Sequence, residues 1–240
     1  MLLLLAAAAF ATAALSATFG MLGGLVLMGA FTAVLPVPEA MVLHGLTQLV
    51  AHVSRVATHR RSLRVGGLAA YGSGALVATG IAAMVAFTPG QAAIYLGLGA
   101  VPFIARLVPP SRWLDASTPA GAAVAGLVVV GIQSVFGVAG PLLDLFFLTS
   151  DLDRHGIVAT KSATQLISQV LKVARFAPLV VWSPRLGLTV AVCTLAAALG
   201  TQVGTRLLER FSEAGFRRAT RTLVLVVGGV YLGLGAAALA

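Results

Sequence analysis

The sequence predicts an all-α, polytopic membrane protein built from two homologous repeats. Its residues are 59% hydrophobic and only 10% charged, whereas a typical soluble domain carries about 25% charged residues. The apolar runs fit helical crossings of about 20 residues each, and they are continuous, unlike the short alternating segments of a membrane β-barrel. We therefore expect the lipid bilayer to surround most of the chain.

A duplication divides the chain into two halves. Residues 19–57 align without gaps to residues 136–174, with 12 identities in 39 positions. The matches include glycines, amides and cations, so apolar composition alone does not explain them. Internal repeats are typical of secondary transporters, whose substrate site lies between the repeats. We predict a first transmembrane repeat over residues 1–117 and a second over residues 118–240.

Each half begins with an apolar stretch that is too long for one crossing. The apolar segments cover residues 1–18, 25–36, 38–58, 65–87, 91–108, 118–135, 142–149, 156–181, 186–205 and 222–240. A fully helical stretch over residues 1–36 would measure about 54 Å, against a hydrocarbon core of about 30 Å. The glycine-rich sequences FGMLGG and FGVAGP interrupt these stretches, and glycine and proline break helices. Each half thus has a glycine-broken helix followed by three transmembrane helices.

Two topologies agree with this pattern. In one, each broken helix crosses the membrane once, which gives four spans per half and parallel repeats. In the other, each broken helix is a re-entrant hairpin, which gives three full crossings per half and inverted repeats. Inner loops are rich in Lys and Arg. The re-entrant arrangement leaves only Arg175 and Arg185 outside, while the four-span arrangement puts the basic segment 206–221 there. The charge pattern favours inverted repeats.

A polar stripe follows the first break in each half. Its members are His44, Gln48, His52 and Arg55 in the first half, and Lys161, Gln165, Gln169 and Lys172 in the second. Spacings of four, four and three residues put each set on one helix face. Because such side chains are costly in hydrocarbon, we expect both stripes to face the bundle interior or a watery cavity, and to meet there.

These residues predict a site for a small anion. His44 and Lys161 supply positive charge, and a half-helix that begins after a glycine break directs free N–H groups at the gap. The predicted substrate-binding residues are His44, Thr47, Gln48, Arg55, Lys161, Thr164, Gln165 and Lys172, together with Gly23, Gly24 and Gly140 at the breaks. Two alternatives stay open. Thr47 and Thr164 suit interhelical hydrogen bonds, and Arg55 and Lys172 are near enough to helix ends to reach the membrane surface.

Asp144 is the acidic residue best placed to balance Lys161. It follows the second glycine-rich sequence, in GPLLDLFF. It could pair with Lys161 in the empty site, take up a proton, or form a plain structural ion pair. We predict Asp144 and His52 as coupling or gating candidates, with a proton or sodium as the coupling ion. Glu39 lies at a predicted helix start, in LPVPEAM, where a carboxylate favours the helix dipole.

Other classes of function fit the sequence less well. The four histidines lie outside any HExxH motif or carboxylate cluster, which argues against a metal site. No Gly-x-Ser-x-Gly elbow is present either, so we predict no enzyme activity and no cofactor. The net charge of +9 does not indicate nucleic acid, because basic residues cluster between apolar runs, as in cytoplasmic loops. An anion channel is the alternative, and the oligomeric state stays open.

The glycine-rich sequences and the helices after them resemble the sulfite exporter TauE/SafE family. The similar runs are TFGMLGGLVLM and LPVPEAMVLHGLTQLVAHVSR over residues 18–55, and VFGVAGPLLDLFF and VATKSATQLISQVLKVARF over residues 135–176. The resemblance covers nearly the whole chain. It implies secondary transport of sulfite, sulfoacetate, organosulfonates or related anions across the bacterial inner membrane, coupled to an ion gradient. Pro141 departs from the pattern, because many members have glycine there.

Overall fold

The structure is a computed structural model that describes residues 1–19, 22–85, 88–109, 111, 114–208 and 213–239. Within these residues the chain is helical and contains no strand, which confirms the predicted all-α class. The helices are α1 (Leu2–Phe19), α2 (Leu22–Val34), α3 (Val37–Thr58), α4 (Leu68–Met84), α5 (Gln91–Leu107), α6 (Pro119–Phe136), α7 (Gly140–Leu145), α8 (Arg154–Phe176), α9 (Pro184–Leu208) and α10 (Glu213–Ala237). The boundary at residue 117 falls in the loop between α5 and α6.

The helix ends follow from local sequence signals. Thr118 caps α6 by accepting a hydrogen bond from the Gly121 N–H at 3.1 Å, and Asp153 caps α8 by accepting from the Gly156 N–H at 2.7 Å. Caps of this type satisfy backbone donors that have no partner in the first helical turn. Glu39 lies in the first turn of α3, as predicted.

The second predicted helix break is present. The helix α6 ends at Phe136, and Gly137 follows with φ of 82°, a left-handed conformation that side chains other than glycine adopt at a cost. The six-residue α7 is shorter than the apolar segment 142–149 from which it was expected. Phe146 and Phe147, which follow α7, are buried in the core, at 3% and 4% exposure. In the first half, the predicted break at Gly20 lies outside the described residues.

Parallel pairs of helices link the two halves of the sequence. The helix α1 runs alongside α9, where Gly200 and Gly204 lie against the backbone carbonyls of Phe10 and Ala14. The Thr18 hydroxyl also donates to the Gly204 carbonyl at 3.1 Å. Because both contact positions advance together along the chain, the two helices are parallel. Glycine at these positions lets the backbones approach closely.

The helices α4 and α6 form a second pair of the same kind. Gly74 of α4 faces the backbone of Ala123, and Gly126 of α6 faces the backbone of Tyr71 and Ala75. A methyl group at either glycine would collide with main-chain atoms of the partner helix. Gly67, just before α4, lies near Ala122, and Gly131 of α6 lies near Ala78. These two contacts advance together along the chain, so α4 and α6 are parallel.

Two further pairs are antiparallel. Gly45 of α3 faces Val173 of α8, while at the other end the rings of His59 and His155 stack with centroids 5.1 Å apart. The helices α5 and α10 also run in opposite directions, since α5 advances from residue 96 to 99 as its contacts on α10 fall from residue 235 to 228.

The helices α3 and α8 meet where two apolar cores adjoin. The first core comes from α1, α2, α3, α9, α10 and the C-terminal end of α8, and the second from α4, α6 and α7, with α5 contributing to both. Ile157, Ile167 and Leu171 of α8 pack against the second core, while Met41 and Leu43 of α3 belong to the first. The polar faces of α3 and α8 are therefore directed at each other, in the interior.

Candidate functional site

The two polar stripes are buried against each other, as the sequence predicted. All members except Lys161 are at most 9% exposed, and His44, Gln165 and Lys172 are at most 2% exposed. Polar and charged groups at this depth require partners. Their partners define the site.

His44 and Lys172 form a hydrogen-bonded relay that spans both halves. The His44 Nε2 atom is 2.9 Å from the Gly24 carbonyl oxygen, so it carries the proton and donates. Its Nδ1 atom is therefore free to accept from the Lys172 Nζ atom at 2.7 Å, and Lys172 also donates to the Gly137 carbonyl at 3.1 Å. This His44–Lys172 relay ties the start of α2 to the glycine that ends α6.

Arg55 is held inside the protein, not at its surface. Its Nη2 atom donates to the Ser16 hydroxyl at 2.9 Å, and its Nη1 atom is 3.5 Å from the His52 Nδ1 atom. Arg55 is 9% exposed and Lys172 is 2% exposed. The structure therefore contradicts the alternative in which both side chains reach the membrane surface.

Lys161 forms an ion pair with Asp144, the carboxylate proposed for it from sequence. The two side chains are more accessible than the rest of the polar stripes, at 16% exposure for Lys161 and 43% for Asp144. Lys161 and Asp144 are thus the members of the site that are nearest to solvent.

A small polar cavity lies between α3, α6 and α8. It holds about 20 Å³, which is room for roughly one water-sized particle. Its lining consists of Ser16, Gly24, Gln48, His52, Gln133, Val138, Gly140, Gln165 and Gln169. Three pairs in this lining are separated by the 117 residues of the sequence duplication: Ser16 with Gln133, Gln48 with Gln165, and His52 with Gln169.

Hydrogen-bond donors around this cavity lack acceptors. Among the described protein atoms, no partner is found for the amide nitrogens of Gln133 and Gln165, for Nε of Arg55, or for the amide oxygen of Gln169. A buried polar group without a partner costs about 1–3 kcal/mol. Three of these groups belong to residues that line the cavity, and two of the three, the amide nitrogens of Gln133 and Gln165, are donors. The cavity therefore suits a ligand that mainly accepts hydrogen bonds.

A wider crevice of about 520 Å³ lies between α8 and the loops that follow α3 and precede α6 and α8. Its lining consists of Leu63, Arg64, Val65, Gly66, Gly67, Ala116, Ser117, Asp151, Leu152 and Thr160. The Thr160 hydroxyl accepts from the Arg64 N–H at 3.1 Å, which joins α8 to the loop after α3. Lys161 is the next residue of α8 but does not line the crevice.

A comparison with protein families identifies the family to which the chain belongs. The model of the family described as sulfite exporter TauE/SafE matches residues 5–231. The chain belongs to the TauE/SafE family. It is therefore a membrane protein of a transporter family, and α6 and α9 contain stretches long and apolar enough for a crossing, with mean hydropathy of 1.8 and 1.7. No curated protein and no solved structure matches it.

Seven predicted binding residues of this TauE/SafE protein do not line the cavity: His44, Arg55, Lys161, Lys172, Thr47, Thr164 and Gly23. The Thr47 hydroxyl donates to the Leu43 carbonyl at 2.7 Å, and the Thr164 hydroxyl donates to the Lys161 carbonyl at 2.8 Å. Their donors are used within their own helices. Gly23 lies against α1, beside the Thr12 carbonyl. Gly24, Gln48, Gly140 and Gln165 do line the cavity, as does the gating candidate His52.

Two cavity residues of the TauE/SafE protein were not predicted from its sequence. Ser16 and Gln133 each precede the phenylalanine that begins the aligned window by three residues. Both are polar residues in apolar helices, at matching positions. Extending the alignment by one helical turn would have identified them. Gln169 belonged to the polar stripe but was not counted among the binding residues.

Proposed function

We propose that this protein is a secondary transporter that carries small sulfur-containing anions, such as sulfite, sulfoacetate or an organosulfonate, across the bacterial inner membrane by alternating access. The observation that carries the proposal is the cavity in which the amide nitrogens of Gln133 and Gln165 have no acceptor. An ionised oxyanion offers only acceptors and would complete these hydrogen bonds. Membership of the TauE/SafE family supports the sulfur-anion class.

The charge balance around the cavity also favours an anion. The polar stripes contribute three cations, Arg55, Lys161 and Lys172, and the described contacts give them one carboxylate partner, Asp144. Buried charge is costly in a membrane interior unless an opposite charge offsets it. An anion bound between α3 and α8 would supply that offset.

The size of the cavity supports a carrier over a channel. With space for roughly one water-sized particle, it admits a polyatomic anion only if the surrounding helices separate. Beyond the cavity on one side, the His44–Lys172 relay and the buried Met41 and Phe176 close the path. On the other side lie the accessible Lys161 and Asp144.

The packing supports two inverted repeats, with the cavity between them. A shift of 117 residues moves α1 onto α6, α3 onto α8 and α4 onto α9. The same shift turns the α1–α9 pair into the α6–α4 pair, and both are parallel. The helices α3 and α8, which the shift relates, run antiparallel. Equivalent helices that point in opposite directions are the signature of inverted repeats.

The basic residues suggest how this multi-pass arrangement sits in the inner membrane. Arg60, Arg61 and Arg64 follow α3, at the end that holds His59 and His155. Arg206 lies near the end of α9, alongside the end of α1. By the excess of basic residues in inner loops, this end faces the cytoplasm, so the ion pair of Lys161 and Asp144 lies toward the cytoplasmic side.

The test is flux in proteoliposomes that contain the wild type, Gln165→Ala or Gln202→Ala. Sulfite and sulfoacetate flux by the wild type should saturate with concentration. We expect Gln165→Ala to raise the half-saturating concentration about 10- to 100-fold, because a hydrogen bond to a charged group contributes about 1.5–3 kcal/mol. Gln202 is an exposed glutamine on α9, and its replacement should change nothing.

Two outcomes would contradict the proposal. Flux that grows linearly with concentration would identify a channel. If folded wild-type protein moved neither anion, the sulfur-anion class would be wrong, although transport of another small organic anion would still fit the cavity.

A further inference from the structure

The three cations of the polar stripes have different kinds of bonding partner. Lys172 bonds to a neutral imidazole and a carbonyl, and Arg55 bonds to a hydroxyl. Lys161 instead contacts a carboxylate, that of Asp144. One cation of the site is therefore occupied by an anion that the protein itself supplies, in the place where a substrate anion would be expected to pair.

Asp144 is also the group of the site best placed to exchange a proton with water. Its side chain is 43% exposed, and a carboxylate facing hydrocarbon would be too costly, so the exposed part must contact water. The His44–Lys172 relay is at most 2% exposed and has no such access.

The charged surroundings of Asp144 are simple. Of the helices that contact α7, α2 and α6 contain no titratable residue, and α5 contains Tyr95 and, in its last turn, Arg106. On α8 the facing group is Lys161, and across from Lys161 lie Arg55 and His52 of α3. Proton uptake at Asp144 therefore acts chiefly on its bond to Lys161.

We propose that Asp144 is the proton-coupling group and that, in the empty carrier, it pairs with Lys161 in the position that the substrate anion takes during transport. Its carboxylate takes a proton from water and becomes a neutral acid, which releases the Lys161 ammonium. The ammonium then pairs with the substrate anion, so one proton accompanies each anion. A monovalent anion would move without net charge, and a divalent anion would carry one negative charge. This inference rests on the function proposed above.

The experiment compares net accumulation with exchange, for the wild type, Asp144→Asn and Glu39→Gln. Ethanesulfonate, a monovalent organosulfonate, and sulfite serve as probes. With a gradient of one pH unit, acid outside, wild-type vesicles should accumulate ethanesulfonate up to about tenfold. Asp144→Asn mimics the protonated acid permanently. It should lose this accumulation and retain exchange of labelled for unlabelled anion at equal pH. Glu39 lies in the first turn of α3 and lines neither the cavity nor the crevice, so Glu39→Gln should behave like the wild type.

A measurement on the wild type alone guards against a variant that fails to fold. A pH-sensitive dye inside lightly buffered vesicles should report one proton entering per ethanesulfonate ion. Accumulation by Asp144→Asn equal to that of the wild type would overturn the role of Asp144, as would loss of exchange together with accumulation. Wild-type flux without proton entry would overturn the coupling but leave the transport function intact. Absence of any flux would overturn both.

Discussion

His44 and Lys161 occupy matching positions 117 residues apart, yet they lie in different surroundings. His44 is 1% exposed and belongs to a relay of fixed hydrogen bonds between α2, α3, α8 and the end of α6. Lys161 is 16% exposed and pairs with a carboxylate that meets solvent. Duplicated positions thus differ in what they can do. The hydrogen bonds of His44 hold the two halves together, whereas Lys161 can exchange one anionic partner for another.

The largest effect should come from Lys161→Ala. If Lys161 pairs with the substrate, flux of sulfite should fall at least about 30-fold, because removing one partner of a close charge pair costs about 2–5 kcal/mol. The thermal unfolding midpoint should change little, since Lys161 is partly exposed. Parallel measurements of flux in vesicles and of unfolding in detergent check this.

Lys161→His sharpens the comparison, because it installs the residue of the other half. Its flux should lie between those of the wild type and Lys161→Ala. If Lys161→Ala lowered flux only as far as it lowered the amount of folded protein, Lys161 would be a structural residue like Lys172.

The next effect concerns the relay. Lys172→Met keeps the length of the side chain but leaves the His44 Nδ1 atom and the Gly137 carbonyl without their donor. We expect a loss of about 1–3 kcal/mol in the free energy of unfolding, the usual cost of a buried group without a partner.

The matched control for the relay is Lys161→Met, the same replacement at the accessible cation. It should destabilise the protein less than Lys172→Met does. Equal losses of stability in the two variants would show that Lys161 has a structural role like that of Lys172.

The smallest effect should come from Gly137→Ala. A φ of 82° costs a residue with a Cβ atom about 1–2 kcal/mol, and the added methyl group would lie 2.8 Å from the Met28 sulfur. The free energy of unfolding should fall accordingly. Gly187→Ala is the control, since a methyl group there meets open space in α9. It should leave stability unchanged or slightly higher. A Gly137→Ala protein as stable as this control would show that the break tolerates a regular helix.

Sequence reasoning predicted the helices and the polar stripes well, for a physical reason. Apolar run length and the spacing of polar residues depend on one helix at a time, and the bilayer enforces both. The pairing of Lys161 with Asp144 was also within reach, because both residues lie in one half and few acids compete. The break at Gly137 followed from the glycines and the proline of FGVAGP, because both residue types interrupt helices.

Partner choice across the halves could not be predicted in the same way. The bond between His44 and Lys172 joins residues 128 positions apart, and it depends on how α3 is rotated against α8. A shared helix face places His44 near several cations without selecting one. The threonines show the same limit, because Thr47 and Thr164 bond to carbonyls of their own helices, a choice that face assignment does not reveal.

The parallel glycine contacts of α1 with α9 have a consequence for biosynthesis. Thr18 and Gly204, which meet in the folded protein, are 186 residues apart. The helix α1 must therefore remain in the membrane without its partner α9 until residue 204 has been made. The helix α4 lacks its partner α6 for a shorter time, because only α5 lies between them in the chain. If the first half were produced alone, the face of α1 that contacts α9 and the face of α4 that contacts α6 would be exposed to lipid or to chaperones. Assembly of these two helix pairs therefore depends on synthesis of the second half.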